Sequence, residues 1–237
     1  LAPSSVKECY QLTLKAFDLA ERFRVPVFVA TDKETAQTRS TVDLDREGHP
    51  PVRERNIASA GEEFLPLGIQ ELDQVPVMSP FGGTHTLRFT TSSHDKTGYL
   101  TKKPAALEFL NRHLRAKIED HLDEIVLVES DLQPGAETLL LSYGISARSA
   151  RAAVLQARAA GRKISLLTVQ SLWPVPEEAI REALEGVRTI LVPELNLGQY
   201  AREIERLAGD DQLVIPITRV DGQLISPEQI LKTGGML

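Results

Sequence analysis

The stretches Thr138-Leu-Leu-Leu-Ser-Tyr-Gly144, Lys163-Ile-Ser-Leu-Leu-Thr-Val169 and Arg188-Thr-Ile-Leu-Val192 decide the fold. Each is a short apolar run, and each is followed by a turn and a segment of helical period. After Gly144 a helix opens at Ser146, carries Ala150, Ala153, Val154 and Ala157 on one face, and stops at Gly161. The second run leads through Trp173-Pro174 to a helix that starts with Pro176-Glu177-Glu178 and ends at Gly186; the third leads through Pro193-Glu-Leu-Asn-Leu-Gly-Gln199 into another. Continuous apolar strands alternating with amphipathic helices predict an α/β fold, a parallel sheet flanked by helices on both faces. Downstream, Leu213-Val-Ile-Pro-Ile217 supplies a fourth strand and Ser226-Pro-Glu-Gln229 caps a last helix. Upstream, Ile125-Val-Leu-Val128 reads as a short strand that introduces this domain.

Working back towards the start, Ser5-Val-Lys-Glu8 has the spacing of a capping box. Val6, Cys9, Tyr10, Thr13, Phe17 and Ala20 then mark one face of a helix that runs to about Arg24. Pro26-Val-Phe-Val-Ala-Thr31 reads as a strand with proline at its first position, ending in the polar Asp32-Lys33-Glu34. Leu1-Ala-Pro3 resembles the end of a strand, so the chain is expected to be a piece of a longer protein. Between Thr35 and Thr101 neither period persists, and Pro50-Pro51, Pro66, Pro76, Pro80 and Gly82-Gly83 interrupt it. A stretch this long that keeps Leu65-Pro-Leu67 and Val75-Pro-Val-Met78 is too apolar for disorder and predicts an ordered connector. Pro104 opens a long helix near 104–124, with Leu107, Leu110, Leu114, Ile118, His121, Leu122 and Ile125 as its apolar stripe; Arg112, Arg115, Lys117, Glu119 and Asp120 are expected to face solvent or a partner. Three regions follow: 1–34, 35–136 and 137–237.

Composition narrows the function classes. A formal net charge of -6 offers no basic stripe for nucleic acid. The single cysteine, Cys9, excludes an internal disulfide and cannot by itself hold an iron-sulfur cluster or structural zinc. No run approaches the ~20 apolar residues of a membrane-spanning helix and no signal peptide is visible, which leads to an expectation of a cytoplasmic protein without membrane contact.

Candidate chemistry gathers at helix amino ends, where open α/β sheets bind ligands beyond the strands' carboxyl edge. Gly144 and Ser146, with Arg148 nearby, would suit an anion; the simpler reading is a glycine turn with Ser146 as cap. Glu194, Asn196, Gly198 and Gln199 place a carboxylate, two amides and a glycine at another helix start. Asn196 as a cap accounts for one of them and leaves Glu194 and Gln199 for an interface or a ligand. In the connector, Gly82, Gly83, Arg88, His94, Asp95 and Gly98 form the remaining set. His94-Asp95 lacks a third ligand at metal spacing, no nucleophile elbow precedes a helix, and a local turn built on Asp95 and Gly98 explains the motif more simply. A Gly-x-Gly-x-x-Gly fingerprint is absent, which speaks against a dinucleotide site.

In this order, Asp18-Leu-Ala-Glu-Arg-Phe-Arg-Val-Pro-Val27, the Met78–Gly83 loop, His94-Asp-Lys-Thr-Gly98, Tyr143-Gly144, Trp173-Pro-Val-Pro-Glu177 and Glu194-Leu-Asn-Leu-Gly-Gln199 resemble the carboxyl-terminal part of the alpha subunit of 2-oxoacid:ferredoxin oxidoreductases, above all the 2-oxoglutarate type. The resemblance covers nearly the whole chain. It implies that 1–34 is the tail of a pyrimidine-binding-like domain of thiamine enzymes, 35–136 a connector, and 137–237 a domain like the transketolase carboxyl-terminal domain. It also implies oxidative decarboxylation of a 2-oxoacid to an acyl-coenzyme A, with electrons passed to ferredoxin. Thiamine diphosphate, magnesium and iron-sulfur clusters would belong to the assembled enzyme, carried by a beta subunit or other partners. The chain itself is expected to hold no cofactor, catalytic residue or metal, and to be inactive alone. Two other readings share the fold: a transketolase-like or 2-oxoacid dehydrogenase beta-type domain, and a small α/β module binding an anion at the Gly144 turn.

Overall fold

The computed structural model describes residues 1–48, 53–88 and 91–236. Pro50-Pro51, one of the expected interruptions, lies outside the described residues. In chain order the elements are α1 (Val6–Phe23), α2 (Lys33–Gln37), α3 (Leu44–Glu47), α4 (Pro104–Glu119), α5 (Leu122–Ile125), β1 (Val128–Asp131), β2 (Thr138–Ser142), α6 (Ser146–Ala159), β3 (Ser165–Val169), α7 (Glu177–Ala183), β4 (Thr189–Glu194), α8 (Ala201–Leu207), β5 (Leu213–Thr218) and α9 (Pro227–Thr233). They divide into two compact units: Leu1–Thr13, Phe28–Gly48 and Val126–Leu237 form the sheet unit, and Leu14–Val27 with His49–Ile125 form the connector unit.

In the sheet unit the five strands run in the order β1-β3-β2-β4-β5. Four are parallel, with Leu140 opposite Leu166 and Thr138 opposite Thr189. At the edge β1 pairs antiparallel with β3, Val128 opposite Val169. The sheet is therefore mixed, because β1 enters by a short loop instead of a helical crossover. Alternation along the strands separates two apolar layers. Leu139, Leu141, Leu167, Val169, Ile190 and Val192 pack with Ile180 and Ala183 of α7 and Ala201, Ile204 and Leu207 of α8. On the opposite face Leu140, Leu166 and Leu191 meet Ala150, Ala153, Val154 and Ala157 of α6 and Ile230 and Leu231 of α9. The small residues of α6 let its backbone approach the sheet, so both faces are covered and the strands can be apolar throughout. Both edges are unsuited to further pairing: β1 carries Glu129 and Asp131, paired to Arg151 and Arg158, and β5 has Pro216 in its middle.

Several local expectations change. Ser226 and Gln229 form the complete reciprocal box at α9. At α1 the box is altered: Ser5 Oγ accepts from the Glu8 amide, but the Glu8 carboxylate turns to the amide and hydroxyl of Ser4. Arg151 then donates to Ser4 Oγ and to Glu129. Residues 26–31 form no strand: the Phe28 carbonyl accepts from the Leu1 amino group, the Ala30 amide donates to the Leu1 carbonyl, and Phe28 is exposed. The strand expected at 125–128 is displaced, with Ile125 closing α5 and β1 starting at Val128.

The connector unit has little regular structure apart from helices. Residues 53–101 contain isolated bridges, Ile57 with Met78 and His94 with Leu100. Ion pairs hold it: Arg22 on Glu124 at 2.9 Å, Arg53 on Asp18 at 2.9 Å, and Arg55 on Glu21. Along α4 the buried face is Leu110, His113, Lys117 and Ile118. Leu114, expected inside, is exposed, and Lys117, expected outside, is only 4% exposed. The helix is rotated relative to the apolar stripe, so the lysine takes an interior position.

Candidate functional site

Strand order reverses between β2 and β4: β2 leads through α6 to β3 on one side, while β4 lies on the other. Such a switch point opens a crevice at the carboxyl ends of the strands. Tyr143 follows β2 there, and Glu194 ends β4. The Tyr143 hydroxyl donates to Glu194 Oε2 at 2.9 Å and accepts from Asn196 Nδ2 at 2.7 Å. Glu194, 1% exposed, also accepts from the amides of Tyr200 and Ala201 at 3.0 and 2.9 Å. It thus caps α8, the position at which a cap by Asn196 is expected. Asn196 Oδ1 instead accepts from the amides of Gly198 and Gln199, and Gln199 Oε1 from that of Leu197, folding the loop on itself. Gly198 has φ +84, where a side chain would be strained. Burial, and next the charge of Glu194, push the Tyr143 hydroxyl far above its ordinary pKa, so it remains a neutral donor.

The other helix start is also filled from within. Gly144 turns the chain with φ +54, and Asp32 Oδ2 accepts from the Ile145 amide at 2.7 Å. A Cβ on Gly144 would stand 2.6 Å from that oxygen. Ser146 is buried, yet its side chain makes no cap. Asp32 provides the anion that the helix end attracts, a role the sequence reading does not assign because 113 residues separate the partners. Around this crevice Trp173 and Leu197 stand exposed.

The connector residues form a separate set. His94 Nδ1 bonds to the carbonyl of Ser92. Asp95 Oδ1 accepts from the amide and hydroxyl of Thr97, which hold its carboxyl below the ordinary range, and the Gly98 amide reaches the Asp95 carbonyl with φ +82. Arg88 lies 4.2 Å over the Tyr99 ring. Gly82 has φ +79 in an exposed turn, and the Gly83 amide bonds to the Pro80 carbonyl. Among the described residues no group of three His, Cys, Asp or Glu side chains could hold a metal ion.

Comparison with known proteins agrees with this architecture. Residues 136–230 match the family model described as "Pyruvate:ferredoxin oxidoreductase core domain II", and residues 1–107 match "Pyruvate flavodoxin/ferredoxin oxidoreductase, thiamine diP-bdg". The chain belongs to the 2-oxoacid:ferredoxin oxidoreductase family, to which both models refer. Within that family its likeness is to alpha-type subunits. It is 37% identical over 234 residues to 2-oxoglutarate synthase subunit KorA of Methanothermobacter thermautotrophicus, covering 98% of this chain and 61% of that protein. It is 30% identical to ketoisovalerate oxidoreductase subunit VorB of Methanothermobacter marburgensis, covering 98% and 58%. The chain thus spans about three fifths of the length of these relatives. The solved 2-oxoglutarate:ferredoxin oxidoreductase of Magnetococcus marinus, with 2-oxoglutarate, coenzyme A and succinyl-CoA bound, superposes with a TM-score of 0.86 at 22% identity, over 99% of this chain and 41% of that one, and shows the shared fold.

The two helix amino ends at this crevice do not suit a diphosphate: Asp32 at one and Glu194 at the other accept from the amides there and would repel it.

Proposed function

We propose that this chain is part of the alpha subunit of a 2-oxoacid:ferredoxin oxidoreductase, which oxidatively decarboxylates 2-oxoglutarate with coenzyme A to an acyl-coenzyme A, releasing carbon dioxide and passing two electrons to ferredoxin. The observation that carries the reading is the match along 98% of the chain to 2-oxoglutarate synthase subunits at 37 and 36% identity, against 30 and 32% for ketoisovalerate relatives. The chain's own part is structural: it presents the sheet's carboxyl edge, with Trp173 and Leu197, and the connector turn at His94–Gly98 to neighbouring subunits. Glu194, Asn196, Gly198 and Gln199 shape the first surface, and Gly82, Gly83, Arg88, His94, Asp95 and Gly98 shape the second. Thiamine diphosphate, magnesium and iron-sulfur clusters reside in a partner beta subunit, in the cytoplasm where coenzyme A and ferredoxin are available. The three expected regions, 1–34, 35–136 and 137–237, serve as domain tail, connector and carboxyl-terminal domain.

Purification of the tagged protein from its host, followed by viologen reduction dependent on 2-oxoglutarate and coenzyme A, tests this. Activity with a copurified iron-sulfur subunit is the expected result. A copurified lipoyl-bearing partner without viologen reduction would overturn it.

A further inference from the structure

One short run of the sheet unit is open along an edge and on a face. The Leu1 amino group donates to the Phe28 carbonyl at 2.7 Å, and the Ala30 amide donates to the Leu1 carbonyl at 2.8 Å. One residue bonded to positions two apart is the pattern of parallel pairing, with Leu1 beside Val29. The backbone groups of Phe28 and Ala30 thus point towards Leu1, and by the period of two those of Val29 and Thr31 point away from it. The amides and carbonyls of Val29 and Thr31 have no hydrogen-bond partner among the described residues. Asp32, next along the chain, holds φ -71 and ψ 150, so the extended geometry persists to the start of α2.

Side chains alternate in the same way. On the face of Thr31 lies α1, with Cys9 Sγ 3.9 Å from Thr31 Oγ1. On the other face Phe28 is 78% exposed, and Ala30 is exposed beside it. All of these residues belong to the sheet unit. The run Phe28–Thr31 carries neither a charge nor a proline, the devices that guard β1 and β5. An unguarded row of amides and carbonyls beside a bare phenylalanine fits one kind of occupant: an extended chain that pairs by backbone and covers the ring with apolar side chains. A second copy fits poorly. Antiparallel self-pairing that matches Val29 with Thr31 sets Phe28 opposite Asp32, a ring against a carboxylate already engaged with the Ile145 amide.

We propose that the outer edge of Phe28–Thr31 receives a β-strand from polypeptide outside residues 1–237, with Phe28 packed under its apolar cover. This deepens the reading of the chain as part of a larger assembly and rests on it.

The test is amide hydrogen exchange at Val29 and Thr31, in the chain alone and in the assembly purified with the tagged protein from its host. Relative to intrinsic exchange, both amides should be slowed at least about a hundredfold in the assembly and less than about tenfold in the chain alone. Val29→Pro removes the outward amide, keeps both bonds to Leu1, and should weaken assembly at least about tenfold. Phe28→Ser is the second variant should the proline chain fail to fold. It should weaken assembly likewise and leave the Tm of the chain alone within about 2 °C, because the ring is exposed there. Unprotected Val29 and Thr31 in an assembly that does form, or wild-type assembly by both variants, would overturn this inference and leave the subunit reading standing. Slow exchange in the chain alone, at the mass of a dimer, would overturn it in favour of a second copy. Purification without any assembly would overturn both.

Discussion

The sheet unit and the connector unit are built from the same chain by opposite means. In the sheet unit Leu139, Leu140, Leu141, Ile190 and Leu191 are fully buried, and polar groups at its carboxyl edge are taken up by Glu194 and Asp32. In the connector unit the long-range ties are arginine-carboxylate pairs at the surface, and the buried face of α4 holds a histidine and a lysine. A packed apolar core has no charge to titrate or to screen, whereas exposed ion pairs are weak and screened. The central strands of the sheet therefore depend less on pH and ionic strength than the ties of the connector.

The largest expected effect falls on the sheet unit. Glu194→Ala leaves two helix amides and the Tyr143 hydroxyl without their acceptor, and a loss of about 3 kcal/mol follows from burying those donors unpaired. Urea unfolding measures it; a loss below about 1 kcal/mol would mean that water replaces the carboxylate and that the edge is not closed. Gly144→Ala comes next, at about 2 kcal/mol, since it forces a side chain to φ +54 against the Asp32 oxygen. The double variant with Asp32→Ala separates the two causes: relief of the contact should make the losses less than additive by about 1 kcal/mol, and strict additivity would leave only backbone strain. Asp32→Asn by itself keeps the shape but weakens the bond to the α6 end, by about 1 kcal/mol, read as faster hydrogen exchange at the Ile145 amide.

The smallest effect belongs to the connector and depends on pH. The Arg22 guanidinium bonded to Glu124 holds that carboxyl below its ordinary pKa. A depressed carboxylate contributes stability above its unfolded value, about 4.3, and loses it as pH falls through the lower folded value. The protection factors of the connector amides, relative to intrinsic exchange at each pH, should then fall below about pH 4.5 while those of the sheet strands hold; equal loss in both units would erase the contrast. Added salt should act in the same direction, more on the connector than on the central strands.

Legibility from sequence follows the same division. The runs at Leu139, Leu166 and Ile190 and the stripe of small residues on α6 are local patterns, and each falls on the element that its period predicts. Ser226 with Gln229 is local too, and its cap is present in full. Glu194 is not readable in this way, because its partner Tyr143 lies 51 residues away and a carboxylate next to an asparagine suggests a ligand as readily as a cap. Asp32 is hidden for the same reason. On α4 the leucine spacing led to the wrong face, since Lys117 takes an interior place that no apolar period marks. The stretch at 26–31 has strand composition, but a strand also requires a neighbour, and composition does not reveal one.

The charged β1 edge and the proline in β5 bear on how this sheet can meet another chain. Charged side chains on one edge strand and a missing amide in the other disfavour growth of this sheet by a strand from another chain. Recognition is then left mainly to side chains, whose fit depends on sequence, instead of to backbone, whose fit is common to all proteins. Amyloid-like stacking is disfavoured by the same feature, and a partner that evolves to bind here has to match a particular surface.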